Sequence, residues 1–303
     1  MSCVRVVLAV AALVVALAGC AKPPQRLNDG SNASKQSIPS KTIETASNAV
    51  SGFSSSPKVD GRVQTASIDA GSTFGFGLRG KLSGRTLRID EQSDIQLRAG
   101  EVVITFDDGP RPGKTSKILD ALDEYGAKAT FLMLGRAAQS HPGLVREVAK
   151  RGHTIGLHTH SHGDLTKVSL NAALAEIERG RRPIEVALSS INKSPAPFFR
   201  FPYLAQNSSL RRAVNNAGML IMDVQIDSKD YYKGSADSVL KRTLKRLDQQ
   251  GKGIVLFHDI HGRTVEMLPD FLAELKQRGY RVVSLVPASR IKVPNNTQLA
   301  SND

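Results

Sequence analysis

The sequence predicts an α/β protein, a parallel sheet or barrel wrapped by helices, and three observations carry that expectation. From Gly100 onward, strand-like and helix-like segments alternate. The strand segments are short runs of Val, Ile, Leu and Phe, as in strands buried on both faces. Polar, chemistry-bearing residues follow the ends of several of these runs, where parallel α/β folds build their sites.

Taken in order, EVVITF is the first buried strand of this alternation. TSKILDALDEYG has apolar residues at helical spacing and stops at Gly126. KATFLML is a strand, GLVREVAKRG a helix ending at Gly152, and HTIGLH a short strand. NAALAEIERGRRPIEVAL is helical, PAPFFRFPY extended, and SSLRRAVNNAG helical again. MLIMDVQID reads as one strand and ADSVLKRTLKRLDQQG as a helix. The strand GIVLFHD, the helix TVEMLPDFLAELKQRG and a last strand, YRVVSL, complete the series.

Before Gly100 the chain divides by composition. Residues 1–20, MSCVRVVLAVAALVVALAGC, hold one Arg, an apolar run from Val6 to Leu17, and then small residues. That run is shorter than the ~20 residues a spanning helix needs and has the proportions of a signal-peptide core. Its ending, LAGC, resembles a bacterial lipobox, which would make Cys20 a lipidated N-terminus and anchor the protein to a membrane. An ordinary secretory leader with a chance Cys is the other reading. Either one implies export, to the periplasm or cell surface. Residues 21–70 are rich in Ser, Asn, Lys and Pro, the composition of a disordered tether. Such a coil reaches on the order of 40 Å. Residues 71–99 have Gly punctuation and short alternation, which suggests a strand-like extension. A catalytic domain is expected over 100–290 and a flexible tail over 291–303.

The formal charge is +13, with the basic surplus scattered and no nucleic-acid motif present. This suits an anionic envelope or polymer, and no nucleic-acid partner is expected. The two cysteines, Cys3 and Cys20, both lie in the leader, so the folded domain has no disulfide partner and no Cys-rich metal site.

The chemistry concentrates in two places. VVITFDDGP ends a hydrophobic strand on two adjacent carboxylates, Asp107 and Asp108, which repel each other unless something compensates them. Four of the seven histidines fall in HTIGLHTHSH, with His158 and His162 four apart. Two imidazoles and a carboxylate make an open divalent-metal site, and a cation would relieve the aspartate pair.

TFDDGP, HTHSH, RFPY, DSKDY and LFH, in that order, resemble the five motifs of the polysaccharide deacetylases. These form carbohydrate esterase family four, with the nodulation chitooligosaccharide deacetylase homology domain, and the match covers about residues 100 to 287. The resemblance implies a distorted (β/α) barrel of seven to eight parallel strands. It also implies metal-dependent hydrolysis of N-acetyl, or O-acetyl, groups on an acetylated glycan. Carried onto this chain, it makes Asp107 the general base and Asp108, His158 and His162 the metal ligands. His258 becomes the general acid, oriented by Asp230, and Arg200 the partner that keeps Asp107 ionised. The Tyr203 backbone N–H becomes the oxyanion donor. Tyr203, Pro202, Tyr231 and Leu256 would line the substrate slot. Zinc is the first expectation for the metal, with Co, Ni or Mn admitted by the carboxylate ligand.

Other readings stand beside these. His160 occupies a position the family usually fills with an aromatic and is expected to pack, not to ligate. His153 and His141 are expected at the surface or at helix ends, and His261 is ambiguous. Asp227 reads equally as a strand-end cap or a site residue. RRAVNN and KRTLKR read as solvated helix faces. Tyr231 stands where the family usually has Trp, a residue absent from this chain, and Leu204 where it often has Gly. The alternatives to a glycan deacetylase are an amidase for a small non-sugar amide and a noncatalytic glycan-binding lipoprotein.

Overall fold

The computed structural model describes residues 82–288. The expected leader with Cys20, the tether, residues 71–81 and the tail lie outside the described residues. The described elements are β1 (Ser83–Ile89), β2 (Glu101–Asp107), α1 (Thr115–Glu124), β3 (Thr130–Met133), α2 (Gly135–Ser140), α3 (Pro142–Lys150), β4 (Thr154–Leu157) and α4 (Leu170–Ser189). They continue with β5 (Phe198–Phe199), α5 (Ser208–Asn216), β6 (Leu220–Ile221), β7 (Ile226–Asp227), α6 (Ala236–Gln250), β8 (Gly253–His258), α7 (Gly262–Gln277) and β9 (Arg281–Pro287).

All the strand pairs are parallel. Seven strands in the order β6-β5-β4-β3-β2-β8-β7 form the distorted barrel, and β9 joins β2 at Glu101–Val102 and then carries β1 on its outer edge. The strand-like stretch before Gly100 therefore supplies β1 to the same sheet. The barrel is open between β6 and β7, and here the structure corrects the reading of MLIMDVQID as one strand. Asp223 accepts hydrogen bonds from Arg211 at 2.9 Å and from Gln92 at 2.6 Å, and the Gln225 side-chain Oε1 accepts the Ile254 N–H at 2.8 Å. These polar anchors draw the middle of the segment out of the sheet. Its two halves pair with opposite sides of the gap, β6 with β5 and β7 with β8.

The period-2 alternation of each strand divides its side chains between two cores. Val102, Ile104 and Phe106 face the helices, with Phe131, Leu157, Phe199, Val255 and Phe257. Val103, Leu132, Phe198, Met222 and Ile254 face the interior, joined by Ile89, Val283 and Leu285 from β1 and β9. The inward set continues toward the C-terminal strand ends as Thr105 and Asp107 on β2 and as Leu256 and His258 on β8. The same alternation that buries the core therefore delivers polar groups to the barrel mouth.

Three expectations about exposure are corrected. His153 is buried: its Nδ1 accepts the Ala129 N–H at 3.1 Å and its ring meets Phe131 edge-on. RRAVNN is not simply a solvated face, because Arg211 reaches Asp223. KRTLKR is not one either, since Arg242 Nε donates to Ser228 O at 2.8 Å and Arg246 to Asp227 O. Arginines reach farther than a helical pattern shows. His141 does sit at a helix end, as the N-cap of α3.

Candidate metal and catalytic site

Asp107 is the last residue of β2 and is in register with His258, the last residue of β8. Neighbouring parallel strands thus raise a carboxylate and an imidazole side by side on the interior face. Arg200, fully buried just past β5, closes the group from below. Its NH1 donates to Asp107 Oδ1 at 2.7 Å and to Thr105 Oγ1 at 2.8 Å, and its Nε to Met222 O at 2.9 Å. Burial nonetheless dominates the Asp107 carboxyl and raises its pKa, with Arg200, His258 and His162 offsetting only part of that effect. Arg200 thus pairs with Asp107 and orients it, as expected of a partner to that carboxylate.

Asp108 takes a left-handed backbone (φ 75°), which turns its side chain away from that of Asp107. Its Oδ1 is buried without a hydrogen-bond partner. It stands 3.5 Å from His158 Nε2 and 3.4 Å from His162 Nε2. Nδ1 of His158 donates to Arg200 O at 2.8 Å, which leaves Nε2 with a lone pair directed at the aspartates. Burial pushes the His158 pKa down to about 3, so the ring is neutral, as a ligand must be. Two donors ~2.1 Å from one tetrahedral ion stand about 3.4 Å apart, the spacing found here. The orphaned oxygen, the fixed tautomer and the spacing all fit a divalent cation at Asp108, His158 and His162.

His258 is built for a different task. Its Nδ1 donates to Asp230 Oδ1 at 2.6 Å, its backbone N–H to Asp230 Oδ2 at 2.7 Å, and Thr264 Oγ1 to the same oxygen at 2.6 Å. Burial lowers the pKa of this ring, but the Asp230 hydrogen bond and charge, with Asp107 and Asp108 beyond, outweigh it and push the pKa up to about 9. His258 is therefore a protonated imidazole at neutral pH. Asp230, His258 and His261 also lie close enough to hold an ion. The Asp230 oxygens and His258 Nδ1 are already hydrogen-bonded to one another and to Thr264, so Asp230 and His258 read as a proton-holding pair.

The expected lining residues fall on both flanks of the mouth. The exposed Tyr203 lies edge-on to His162 at 4.5 Å, in a left-handed turn (φ 58°) preceded by the buried Pro202. Tyr231 meets His258 edge-on at 5.4 Å, and Leu256 is buried at the inward position below His258. Asp227 is a local cap: it accepts the Tyr231 hydroxyl at 2.9 Å and the Lys229 N–H at 2.8 Å. His160 packs against Gly135 and is not in the ligand trio.

Sequence reasoning missed two supports of the site. Asp259, buried beneath Gly109, accepts from Thr115 Oγ1 at 2.6 Å, and burial lifts its pKa to about 7. Its place directly after His258 was the available signal. Glu176 of α4 accepts both Ser161 N–H and Ser161 Oγ–H, at 2.7 and 2.6 Å, and pins the turn that carries His162. Nothing local in the AEI triplet of a helix announces that contact.

A family profile described as polysaccharide deacetylase matches residues 94–222. The peptidoglycan-N-acetylglucosamine deacetylase PgdA of Listeria monocytogenes is 32% identical over 184 residues, covering 61% of this chain and 38% of that protein. The chain thus spans well under half the length of that relative. A peptidoglycan-N-acetylglucosamine deacetylase of Bacillus cereus is 34% identical over 196 residues, with 63% of this chain and 89% of that protein covered. Among solved structures, a peptidoglycan deacetylase of Bdellovibrio bacteriovorus aligns with a TM-score of 0.60 at 34% identity, covering 69% of this chain and 58% of that one.

Proposed function

The chain belongs to the polysaccharide deacetylase family, and we propose that it is a metal-dependent hydrolase removing acetyl groups from an envelope or extracellular glycan. N-acetyl groups of peptidoglycan come first, because the similar proteins are named for that polymer. The observation that carries the reading is the buried, unpartnered Asp108 oxygen facing two imidazole nitrogens.

Asp108, His158 and His162 would hold the cation, zinc first, which when bound lowers the pKa of a water toward about 7 and polarises the acetyl carbonyl. Asp107, oriented by Arg200, accepts the proton of the attacking water. The Tyr203 backbone N–H serves as oxyanion donor, an interaction worth roughly 3 to 4 kcal/mol. His258 delivers its Nε2 proton to the leaving amine, and Asp230 holds Nδ1 and so fixes which nitrogen gives it up. Tyr203, Pro202, Leu256 and Tyr231 border the acetyl and its sugar.

The leader ending in Cys20 supports export and a lipid anchor, with residues 21–70 as the tether and 100–290 as the catalytic domain. Mass spectrometry of the membrane fraction tests this by showing a diacylated Cys20 or an unmodified mature chain. The activity is tested by acetate release from peptidoglycan, N-acetylglucosamine oligomers and acetylated xylan. Release that stops on chelation and returns with zinc is expected. A metal-loaded protein that releases no acetate from any of them overturns the reading in favour of a small-amide amidase or a glycan-binding role.

A further inference from the structure

The loop from Asp227 to Lys233 forms a ledge leading outward from His258. Tyr231 stands 5.4 Å from the His258 ring, Tyr232 4.8 Å from Tyr231, and Lys229 Nζ 5.3 Å from the Tyr232 ring centre. Each separation is comparable with the width of one pyranose ring. Tyr231 and Tyr232 are 43% and 53% exposed, in a chain that has no Trp to stack sugars. The ledge is rigid for a loop. Arg242 donates to the carbonyls of Ser228 and Lys229, Arg246 to that of Asp227, and Arg263 to that of Tyr232.

Its charge is one-sided. Lys229 and Lys233 on the loop, with Arg242, Arg246 and Arg263 clamping its carbonyls, face the loop's two acids, Asp227 and Asp230, while Asp237 at the start of α6 is paired with Lys241. Asp230 is committed to His258 and Asp227 to the Tyr231 hydroxyl. Among the described residues, none of the five cations has a carboxylate within ion-pair distance, and Lys233 is exposed. An aromatic step flanked by uncompensated lysines, on the leaving-amine side of the centre, suits a sugar that carries a negative charge.

We propose that this ledge is a subsite for a carboxylate-bearing unit next to the acetylated sugar, so that the protein selects acidic N-acetylated glycans over neutral ones. This rests on the deacetylase reading above. The test uses the full chain and three probes: neutral N-acetylglucosamine oligomers, peptide-free peptidoglycan strands, and strands bearing stem peptides. Binding by titration calorimetry is measured alongside acetate release. The paired change Lys229→Glu with Lys233→Glu is expected to weaken the acidic probes relative to the neutral one by about tenfold, with Lys276→Glu as the distant control. The preference of the unaltered protein for acidic strands should fade between about 20 and about 300 mM NaCl. A preference for peptide-free strands assigns the charge to the sugar, and one confined to peptide-bearing strands assigns it to the stem. Equal effects of the paired change on all three probes, or none on any, overturns the subsite. Failure of acetate release with the binding preference intact would count against the deacetylase reading alone.

Discussion

Asp107 and Asp108 are neighbours in the chain with opposite surroundings. The first is tied to Arg200 deep in the barrel, and the second turns out through a left-handed backbone toward two imidazoles. Asp107→Asn should lower acetate release by about 10²- to 10⁴-fold while leaving metal content and glycan binding unchanged, measured by turnover, metal analysis and calorimetry. His258 must be protonated to act as an acid, so its contribution is present below about 9 and is lost as pH rises through that value. Asp230→Asn removes the charge that raises it. The alkaline limb of the rate profile should then shift down toward the ordinary imidazole value of about 6.5. A limb that stays in place would exclude His258 as the titrating acid.

At the scale of elements, α4 is the unexpected organiser of the candidate metal site. Its Gly180 lies against the Thr159–His160 backbone, where a methyl group would overlap the Thr159 carbonyl and stand 2.7 Å from His160 N. One turn earlier, Glu176 holds Ser161. The helix thus sets the position of a turn whose Thr159 and His162 both have positive φ (68° and 64°). Gly180→Ala is expected to weaken metal binding by about 10- to 100-fold, read by competition with a chromophoric chelator, while circular dichroism stays native. Unchanged affinity would show that the turn adjusts without help from α4. The arginines of α6 do for the Asp230 loop what Glu176 does for the His162 turn.

For the molecule as a whole, one histidine is buried away from the mouth, against Phe131 in the core between the sheet and the helices. Burial pushes the His153 pKa down to about 3 against an ordinary value of about 6.5. The folded state therefore binds fewer protons than the unfolded chain within that window. Stability from this group is complete above about pH 6.5 and is lost as pH falls toward about 3. Between pH 7 and 5 the loss amounts to about 2 kcal/mol, and His153→Phe, which keeps the packing on Phe131, should flatten it in urea midpoints at the two pH values. An equally steep pH dependence in the variant would place the titrating group elsewhere.

The alternation of strands and helices, the placement of Asp107, His158 and His258 at strand ends, and the pairing of His158 with His162 were legible in the sequence by itself. Each depends on a short-range regularity: apolar periodicity along one element, or residue types clustered within one motif. The split of MLIMDVQID, the buried His153, the arginines that clamp the Asp230 loop, and the contacts of Gly180 and Glu176 were decided only by the tertiary structure. In every one of these a residue is governed by a partner far away in the chain, as when Asp223 meets Gln92 or Gly180 meets Thr159. A local pattern carries propensity and phase. Which distant backbone comes close enough to bury a histidine or exclude a methyl group depends on how the elements pack together.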